Sequence, residues 1–169
     1  MTGTIRQMQM LFVPEEDRIL FRINSTGKQE YRFWITRRYS LLLLEILRKH
    51  ADIDPDVSTQ INPEAKEAIK NFKSEQAIQG ADFKQKFNED AEEFPLGESI
   101  PLAFKLNYKI NGDELHLGIH PKEGNGIDIV IGSELNPTLM QLLIHAGKKG
   151  DWRLDVIQAD ILTQDRVIN

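Results

Sequence analysis

The sequence predicts an α+β fold: an internally duplicated βββα unit, an antiparallel meander plus a helix, with a helical insertion between the two copies. Apolar and polar residues alternate through three segments of each half, and a broad apolar stripe at helical spacing follows each set. The second strands begin at Arg18 and Glu114 and the third near Glu30 and Gly126, so corresponding strands are 96 residues apart. Because both offsets agree, we interpret the pattern as an internal duplication, although few residues are identical.

The first unit occupies residues 1–50. Its alternating segments predict three antiparallel strands, at residues 5–13, 18–24 and 30–37. Polar turns join them, and Gly27 is available for a positive φ in the second turn. The leucine-rich segment that follows predicts a helix, which Thr36 or Ser40 caps at its N-terminus. The cationic residues 48–50 fall where a helix C-terminus favours positive charge.

Residues 51–100 are predicted to be a helical insertion and an acidic linker. Asn62 precedes Pro63, a pair that is typical of a helix start, and predicts a weakly amphipathic helical stretch over 63–87 that Gly80 divides. The acidic run 88–93 is typical of a solvated loop. An insertion of this length exceeds an ordinary connection between elements.

Three aspartates at the start of the insertion alternate as in a calcium-binding loop: Asp52, Asp54 and Asp56. The sixth position of such a loop requires Gly and holds Val57, and the twelfth requires Glu and holds Pro63. We therefore predict a capped acidic loop here and no metal site.

The second unit, residues 101–169, repeats the pattern. Strands are predicted at residues 102–110, 114–120 and 127–131, and Asn111-Gly112 is the strongest hairpin signal of the chain. Asn136 is the predicted cap of the following helix, with Gly147 at its end. Residues 151–157 alternate and predict an edge strand. The three segments together are expected to form one globular domain.

Composition bounds the function. The hydrophobic fraction of 40% suffices for a core, and the absence of cysteine excludes disulfides, thiolate metal sites and a cysteine nucleophile. No segment approaches the roughly 18 apolar residues of a membrane helix, and the N-terminus lacks the apolar segment of a signal peptide. We expect a soluble cytoplasmic protein without membrane contact. The net charge is −5, but the first 50 residues hold nine Lys and Arg against five Asp and Glu.

The polar face of the first hairpin is the leading candidate site. The candidate nucleic-acid-binding residues are Arg18, Arg22, Arg32, Trp34 and Arg37, with Lys105 and Lys109 from the second unit. Guanidinium groups suit phosphates, and an indole ring stacks on a base, so this combination indicates single-stranded nucleic acid. The alternative is an ordinary solvated sheet face, with Trp34 covered by the helix of the insertion. Arg37 and Arg38 oppose the dipole of their helix, and we expect the 88–93 run to offset them.

This arrangement resembles the Whirly and PUR-alpha families in topology, over most of the chain except the insertion. Their duplicated units of strands and a helix bind single-stranded DNA or RNA on curved sheets, and the resemblance implies the same function here. Each family repeat has four strands before its helix where this sequence has three, and no signature residue of either family matches a position here. A fold-level resemblance does not fix a function.

Two further functions stay open. A protein-interaction or assembly module, as a homo-oligomer or with another protein, would use exposed strand edges or the insertion helix. An enzyme would use His116, His120 and Asp128 as acid–base groups. The two histidines lie four residues apart on one strand, about 13 Å, which is too far for one metal ion. No phosphate-binding glycine loop, serine elbow or zinc spacing occurs, so we assign no catalytic residue, metal or cofactor.

Overall fold

The computed structural model describes residues 1, 3–80 and 86–155. The strands are β1 (Ile5–Val13), β2 (Arg18–Ser25), β3 (Glu30–Ile35), β4 (Lys105–Asn111), β5 (Glu114–His120) and β6 (Ile127–Ile131). The helices are α1 (Arg37–Ile53), α2 (Pro55–Ser58), α3 (Pro63–Gly80) and α4 (Leu135–Lys149). None of the helices in these ranges is both long enough and apolar enough to cross a membrane.

The strands form two antiparallel sheets of three, in the orders β1-β2-β3 and β4-β5-β6. Helix α1 follows the first sheet and α4 follows the second. A single parallel bridge between Trp34 and Leu102 connects β3 to the chain just before β4. The α+β prediction is confirmed, with the strands of both sheets in the predicted order.

One apolar core draws on both sheets and on α1 and α4. Its fully buried side chains include Phe21, Phe33, Ile19, Ile23, Ile35, Leu43, Leu44, Leu47, Leu115, Leu117, Ile119 and Ile131. The strand members are alternate residues, because successive side chains of a strand point to opposite faces. Each sheet therefore has an inner face in this core and an outer face that carries its polar residues.

Two turns and one cap are built by local chemistry. The Thr36 hydroxyl accepts a hydrogen bond from the amide of Tyr39 and confirms Thr36 as the N-cap of α1. In the β2–β3 turn the positive φ, +56°, belongs to Lys28 and not to Gly27 as predicted. In the β4–β5 hairpin Gly112 adopts φ +59°, as the sequence signal predicts.

A buried polar network joins α1, α4 and the β4–β5 turn. Helix α1 continues to Ile53, so His50 lies inside it and is buried. Its Nε2–H donates to the Asp113 carbonyl at 2.9 Å, and its Nδ1 accepts from Asn136 Nδ2 at 2.8 Å. Asn136 is therefore not the cap predicted for α4: the helix begins at Leu135, and the Asn136 amide also donates to the Leu47 carbonyl at 2.9 Å.

The C-terminal end of the described chain folds back on the core. Helix α4 does not end at Gly147 as predicted but continues to Lys149. Gly147 lies against Leu154, where a Cβ would come within 2.4 Å of the leucine side chain. Trp152 and Leu154 are buried. Residues 151–155 form turns and not the predicted edge strand, and the rest of that prediction, residues 156 and 157, lies outside the described residues.

The insertion packs through salt bridges. The side-chain Oδ1 of Asn62 accepts from the Glu64 amide at 2.9 Å, which confirms the predicted start of α3. Helix α3 ends at Gly80, and the predicted continuation over 81–85 lies outside the described residues. The three aspartates that were compared with a calcium-binding loop pair with lysines of α3. Asp52 pairs with Lys70, and Asp54 and Asp56 pair with Lys73 at 2.6 and 2.9 Å. Helix α3 packs against α2 and α4.

Candidate nucleic-acid interface

Strand register arranges the outer face of the first sheet into rows of side chains. Residues paired across antiparallel strands share a face. Gln9, Arg22 and Arg32 are aligned in this way and form what we call the arginine row. Leu11, Leu20, Trp34 and Leu102 form the neighbouring row, which we call the apolar row.

Residues 86–98, which we call the acidic strap, lie on this face and along the start of β3. The Glu30 amide donates to the Glu93 carbonyl at 2.9 Å, and the amides of Glu92 and Glu93 donate to the Lys28 carbonyl at 2.9 and 3.3 Å. Gln29 and Glu93 form a parallel bridge. The 88–93 run is therefore attached to the sheet, which differs from the solvated loop expected, although the side chains of Glu92 and Glu93 are exposed.

Arg22 is the centre of the attachment. It binds Glu30 at 2.7 and 3.1 Å on its own sheet and Glu89 of the strap with two bonds of 3.0 Å. Its guanidinium lies 4.0 Å from the centre of the Phe87 ring. Burial by itself would lower the pKa of Arg22, but the hydrogen bonds and charges of Glu89 and Glu30 outweigh it and hold that pKa above its ordinary value.

Arg32 makes a second contact of the same kind. Its Nη2 donates to the carbonyls of Gly97 and Glu98 at 3.2 and 3.1 Å, and its guanidinium lies 4.3 Å from the centre of the Phe94 ring. Two arginines of the sheet thus each lie over a phenylalanine of the strap. A cation over an aromatic face is attracted by the ring quadrupole.

Two further cations on or beside the sheet also pair with acids of the strap. Arg6 binds Asp90 at 3.0 Å, and Lys28 binds Glu92. The hydrogen bond from Arg22 lowers the pKa of the Glu89 carboxyl, and the hydrogen bond from Arg6 lowers that of Asp90. These pairs are the charge-assisted kind that forms between a guanidinium or ammonium and a carboxylate.

Arg18 and Arg37 lie together, away from the strap. Both line a shallow cleft at the start of α1, with Arg38 and Trp152. The expected pairing of Arg37 with the 88–93 run does not form, because Arg37 Nε instead donates to the Trp152 carbonyl at 3.0 Å. The acids of that run pair with Arg6, Arg22 and Lys28 instead.

Trp34 lies in the apolar row, next to the arginine row. Its amide donates to the Pro101 carbonyl, and its own carbonyl accepts from the Ala103 amide, both at 2.9 Å. The indole is half-buried, and at the two ends of its row Leu11 and Leu102 are 45% and 37% exposed. The anticipated cover for Trp34 was the insertion helix, but the chain nearest to it on the edge of β3 is the extended segment around residue 102.

Lys105 and Lys109 lie on the second sheet, on an outer face that they share with His116 and His120. The arginines of the candidate site belong to the first sheet or to the start of α1, so the structure places these lysines on a different sheet from Trp34. His120 Nε2 lies 3.1 Å from Asp128 Oδ1, whereas His116 Nε2 lies 3.3 Å from Glu114. The residues of the enzyme hypothesis are therefore only partly brought together.

The His120–Asp128 pair rests on two glycines. A Cβ on Gly118 would lie 2.7 Å from Asp128 Oδ1, and a Cβ on Gly126 would lie 2.5 Å from His120 Nδ1. The imidazole therefore lies against the sheet between them. In the part of the chain that the structure describes, no three His, Cys, Asp or Glu side chains are grouped so that they could hold a metal ion.

Sequence reasoning missed the strap residues Phe87, Glu89 and Phe94. The sequence contains one signal for them: an acidic run lies between two phenylalanines seven residues apart. The charge of this run is opposite in sign to that of the basic first unit. Comparison with protein-family models, curated proteins and solved structures found no match to this chain. Support for a function therefore comes from the geometry of these surfaces.

Proposed function

We propose that this chain is a non-enzymatic binding protein that takes single-stranded nucleic acid on the outer face of its first sheet. The observation that supports this most is the position of Trp34. The half-buried indole lies in the apolar row, with Arg32 on the neighbouring row and Arg18 one row further along β2 on the other side. An aromatic ring between cations matches a strand of bases between phosphates.

The chemistry divides between stacking and charge. A base stacked on an aromatic side chain contributes about 1–3 kcal/mol regardless of its identity, because every base has a π-face. Guanidinium groups bind phosphates with paired hydrogen bonds and release counterions from the strand. In this proposal Trp34 supplies the stacking platform, and Arg18, Arg22, Arg32 and Arg37 supply the phosphate contacts.

Lys105 and Lys109 have a secondary role in the proposal. They are exposed cations on a different sheet from Trp34. Their substitution is therefore expected to weaken the binding of long oligonucleotides more than that of short ones.

We also infer that the two βββα units arose by duplication. The support is their equal order of three antiparallel strands and one helix, with each sheet presenting alternate apolar residues to one core. At the positions 96 residues beyond Arg22, Arg32 and Trp34 the second unit has Gly118, Asp128 and Val130, so the binding role is proposed to centre on the first unit.

Tryptophan fluorescence tests the proposed function. Trp152 is buried and packs edge-on to Phe12, so Trp152→Phe keeps an aromatic ring at that position and leaves Trp34 as the sole indole. We expect a mixed single-stranded oligonucleotide to quench this variant at low salt, and the affinity to fall steeply as salt rises. Trp34→Phe, which keeps only Trp152, is the matched control and is expected to show no quenching.

Charge reversal separates a specific face from general attraction. Arg32→Glu is expected to weaken binding about tenfold or more, since it removes one cation and adds a repelling charge. Lys148→Glu, an equal change of charge on exposed α4, should alter affinity much less. Equal effects of the two variants, or no quenching at micromolar oligonucleotide, would contradict the proposal.

Protein–protein interaction is the second candidate, and the apolar row favours it. Exposed apolar side chains that are contiguous often mark an interaction site. Leu11 and Leu102 lie at the two ends of the row and are exposed in this chain. If this reading is right, sedimentation shows a dimer or larger particle that Leu11→Ser with Leu102→Ser dissociates, and Arg32→Glu leaves the assembly unchanged.

A further inference from the structure

The acidic strap presents to the first sheet the same two kinds of group that a single strand of nucleic acid presents. Its carboxylates bind cations of the sheet: Glu89 binds Arg22, Asp90 binds Arg6 and Glu92 binds Lys28. Its aromatic rings lie under guanidinium groups, Phe87 under Arg22 and Phe94 under Arg32. Carboxylates and flat rings thus occur together along one segment, with the three carboxylates between the two rings, and phosphates and bases likewise occur together along a strand.

We propose that the acidic strap is an intramolecular competitor of the nucleic acid, which must leave Arg22 and Arg32 before the full site can bind. This inference rests on the proposed function and adds its regulation. With the strap in place, Arg18, Arg37 and part of Trp34 are accessible. With the strap displaced, the whole arginine row joins them.

The contacts of the strap are suited to reversible release. Its carboxylates are exposed: Glu89, Asp90 and Glu92 keep 64%, 46% and 66% of their side-chain surface in water. Exposed ion pairs are individually weak and are screened by salt. By contrast, Glu30 is buried and belongs to β3, so it stays bound to Arg22 when Glu89 leaves. Arg22 is therefore held in place on the sheet for a phosphate that replaces Glu89.

Competition also explains how a basic face is kept in an acidic chain. When only a fraction of the molecules has the site in its binding-competent form, the apparent affinity for the ligand is lowered by that fraction. The strap thus sets a threshold, because only a ligand with several phosphates along one strand replaces all three carboxylates. A mononucleotide or inorganic phosphate is expected to leave the strap in place.

The first experiment neutralises the strap. In Glu89→Gln/Asp90→Asn/Glu92→Gln, the three carboxylates that bind Arg22, Arg6 and Lys28 become amides of the same shape. The matched control is Glu64→Gln/Glu67→Gln/Glu75→Gln, which removes three exposed charges from α3 instead. We expect the strap variant to bind a 12-nucleotide single strand about tenfold more tightly than the wild type, and the control to change far less.

The second experiment closes the strap covalently and does not depend on charge. The chain has no cysteine, and Gln29 and Glu93 are bridge partners whose side chains also share a hydrogen bond of 2.9 Å. Neighbouring strands lie about 5 Å apart, which is within the Cα–Cα range of a disulfide. In Gln29→Cys/Glu93→Cys we expect the oxidised form to bind about tenfold more weakly than the reduced form of the same protein.

The outcomes separate the two proposals. Equal affinity of the oxidised and reduced forms, with quenching of Trp34 intact, would overturn the competitor and leave the proposed function standing. Absence of oligonucleotide binding by the wild type, the neutralised strap and the reduced form alike would overturn the proposed function. An equal gain in the strap variant and the α3 control would also overturn the competitor, because the gain would then come from net charge alone.

Discussion

The outer faces of the two sheets differ in what lies against them. The first carries arginines and a tryptophan, and residues 86–98 occupy its arginine row through salt bridges, backbone hydrogen bonds and two cation–π contacts. The second carries Lys105, Lys109 and a histidine pair on a face where His120 lies flat over two glycines. Strand order and helix position are the same in both units.

The difference shows that residue alternation reports the polarity of a face but not what covers it. Both outer faces alternate in the same way in the sequence. Within residues 3–80 and 86–155, only the first has a partner segment of opposite charge, and that segment comes from the insertion more than fifty residues further along the chain. The covered face is therefore decided by long-range charge complementarity, which a local pattern does not contain.

The largest expected effect is on the free energy of unfolding, and it distinguishes Arg22, which binds a buried carboxylate, from the exposed cations of the same face. Arg22→Ala leaves the buried Glu30 without its cation and removes the tie to Glu89, so we expect a loss of about 3 kcal/mol in the free energy of unfolding. Urea denaturation measures it. Arg18→Ala, which loses one exposed pair with Glu16 at 3.8 Å, should cost well under 1 kcal/mol. Similar losses in both variants would contradict the assignment of Arg22 as the centre of the attachment.

An intermediate effect sharpens the description of the second face. A Cβ on Gly126 would lie 2.3 Å from the Ile119 carbonyl oxygen, which is backbone, whereas a Cβ on Gly118 first meets the flexible Asp128 carboxylate. We expect Gly126→Ala to cost about 2 kcal/mol and Gly118→Ala less than half of that. Thermal unfolding of the two variants checks the order. The reverse order would show that His120 and Asp128 do not lie as described.

The smallest expected effect concerns acid. The pKa values of Glu89 and Asp90 are lowered in the folded chain, so both stabilise it at neutral pH, and this contribution is lost as the pH falls from near 4.5 through their lowered values. The stability difference between the wild type and Glu89→Gln/Asp90→Asn should therefore be present at pH 7 and shrink as the pH falls below 4.5. A difference that is constant over this range would mean that the carboxylates do not bind Arg22 and Arg6.

Local chemistry made much of the fold predictable. The period of the apolar residues placed all six strands to within a few residues. Thr36, Asn62 and Gly112 act as a cap, a helix start and a turn residue, as predicted, because these roles depend only on residues close by in the sequence. Asn136 was misjudged as a cap because its partners, Leu47 and His50, lie on another helix. The cationic residues 48–50 predicted that α1 ends near His50. Instead His50 is buried inside the helix, which continues for about one more turn to Ile53.

The candidate site was predictable only in its residue types. Arg22, Arg32 and Trp34 share an outer face as the alternation requires, but their neighbours come from residues 86–103. The prediction that 88–93 would meet Arg37 chose the right kind of interaction and the wrong partner. Several cations of the first unit are equally suitable partners for the acidic run in the sequence alone. The path of the chain decides which of them it meets.

Hydrogen exchange at the attachment of the strap tests the central claim most directly. The amides of Glu30, Glu92 and Glu93 donate to carbonyls across the contact between β3 and the strap. If nucleic acid replaces the strap, adding a single-stranded oligonucleotide should make these three amides exchange faster, even though ligand binding usually slows exchange. Slower or unchanged exchange at all three, while Trp34 is quenched, would contradict the account and place the ligand beside a strap that stays bound.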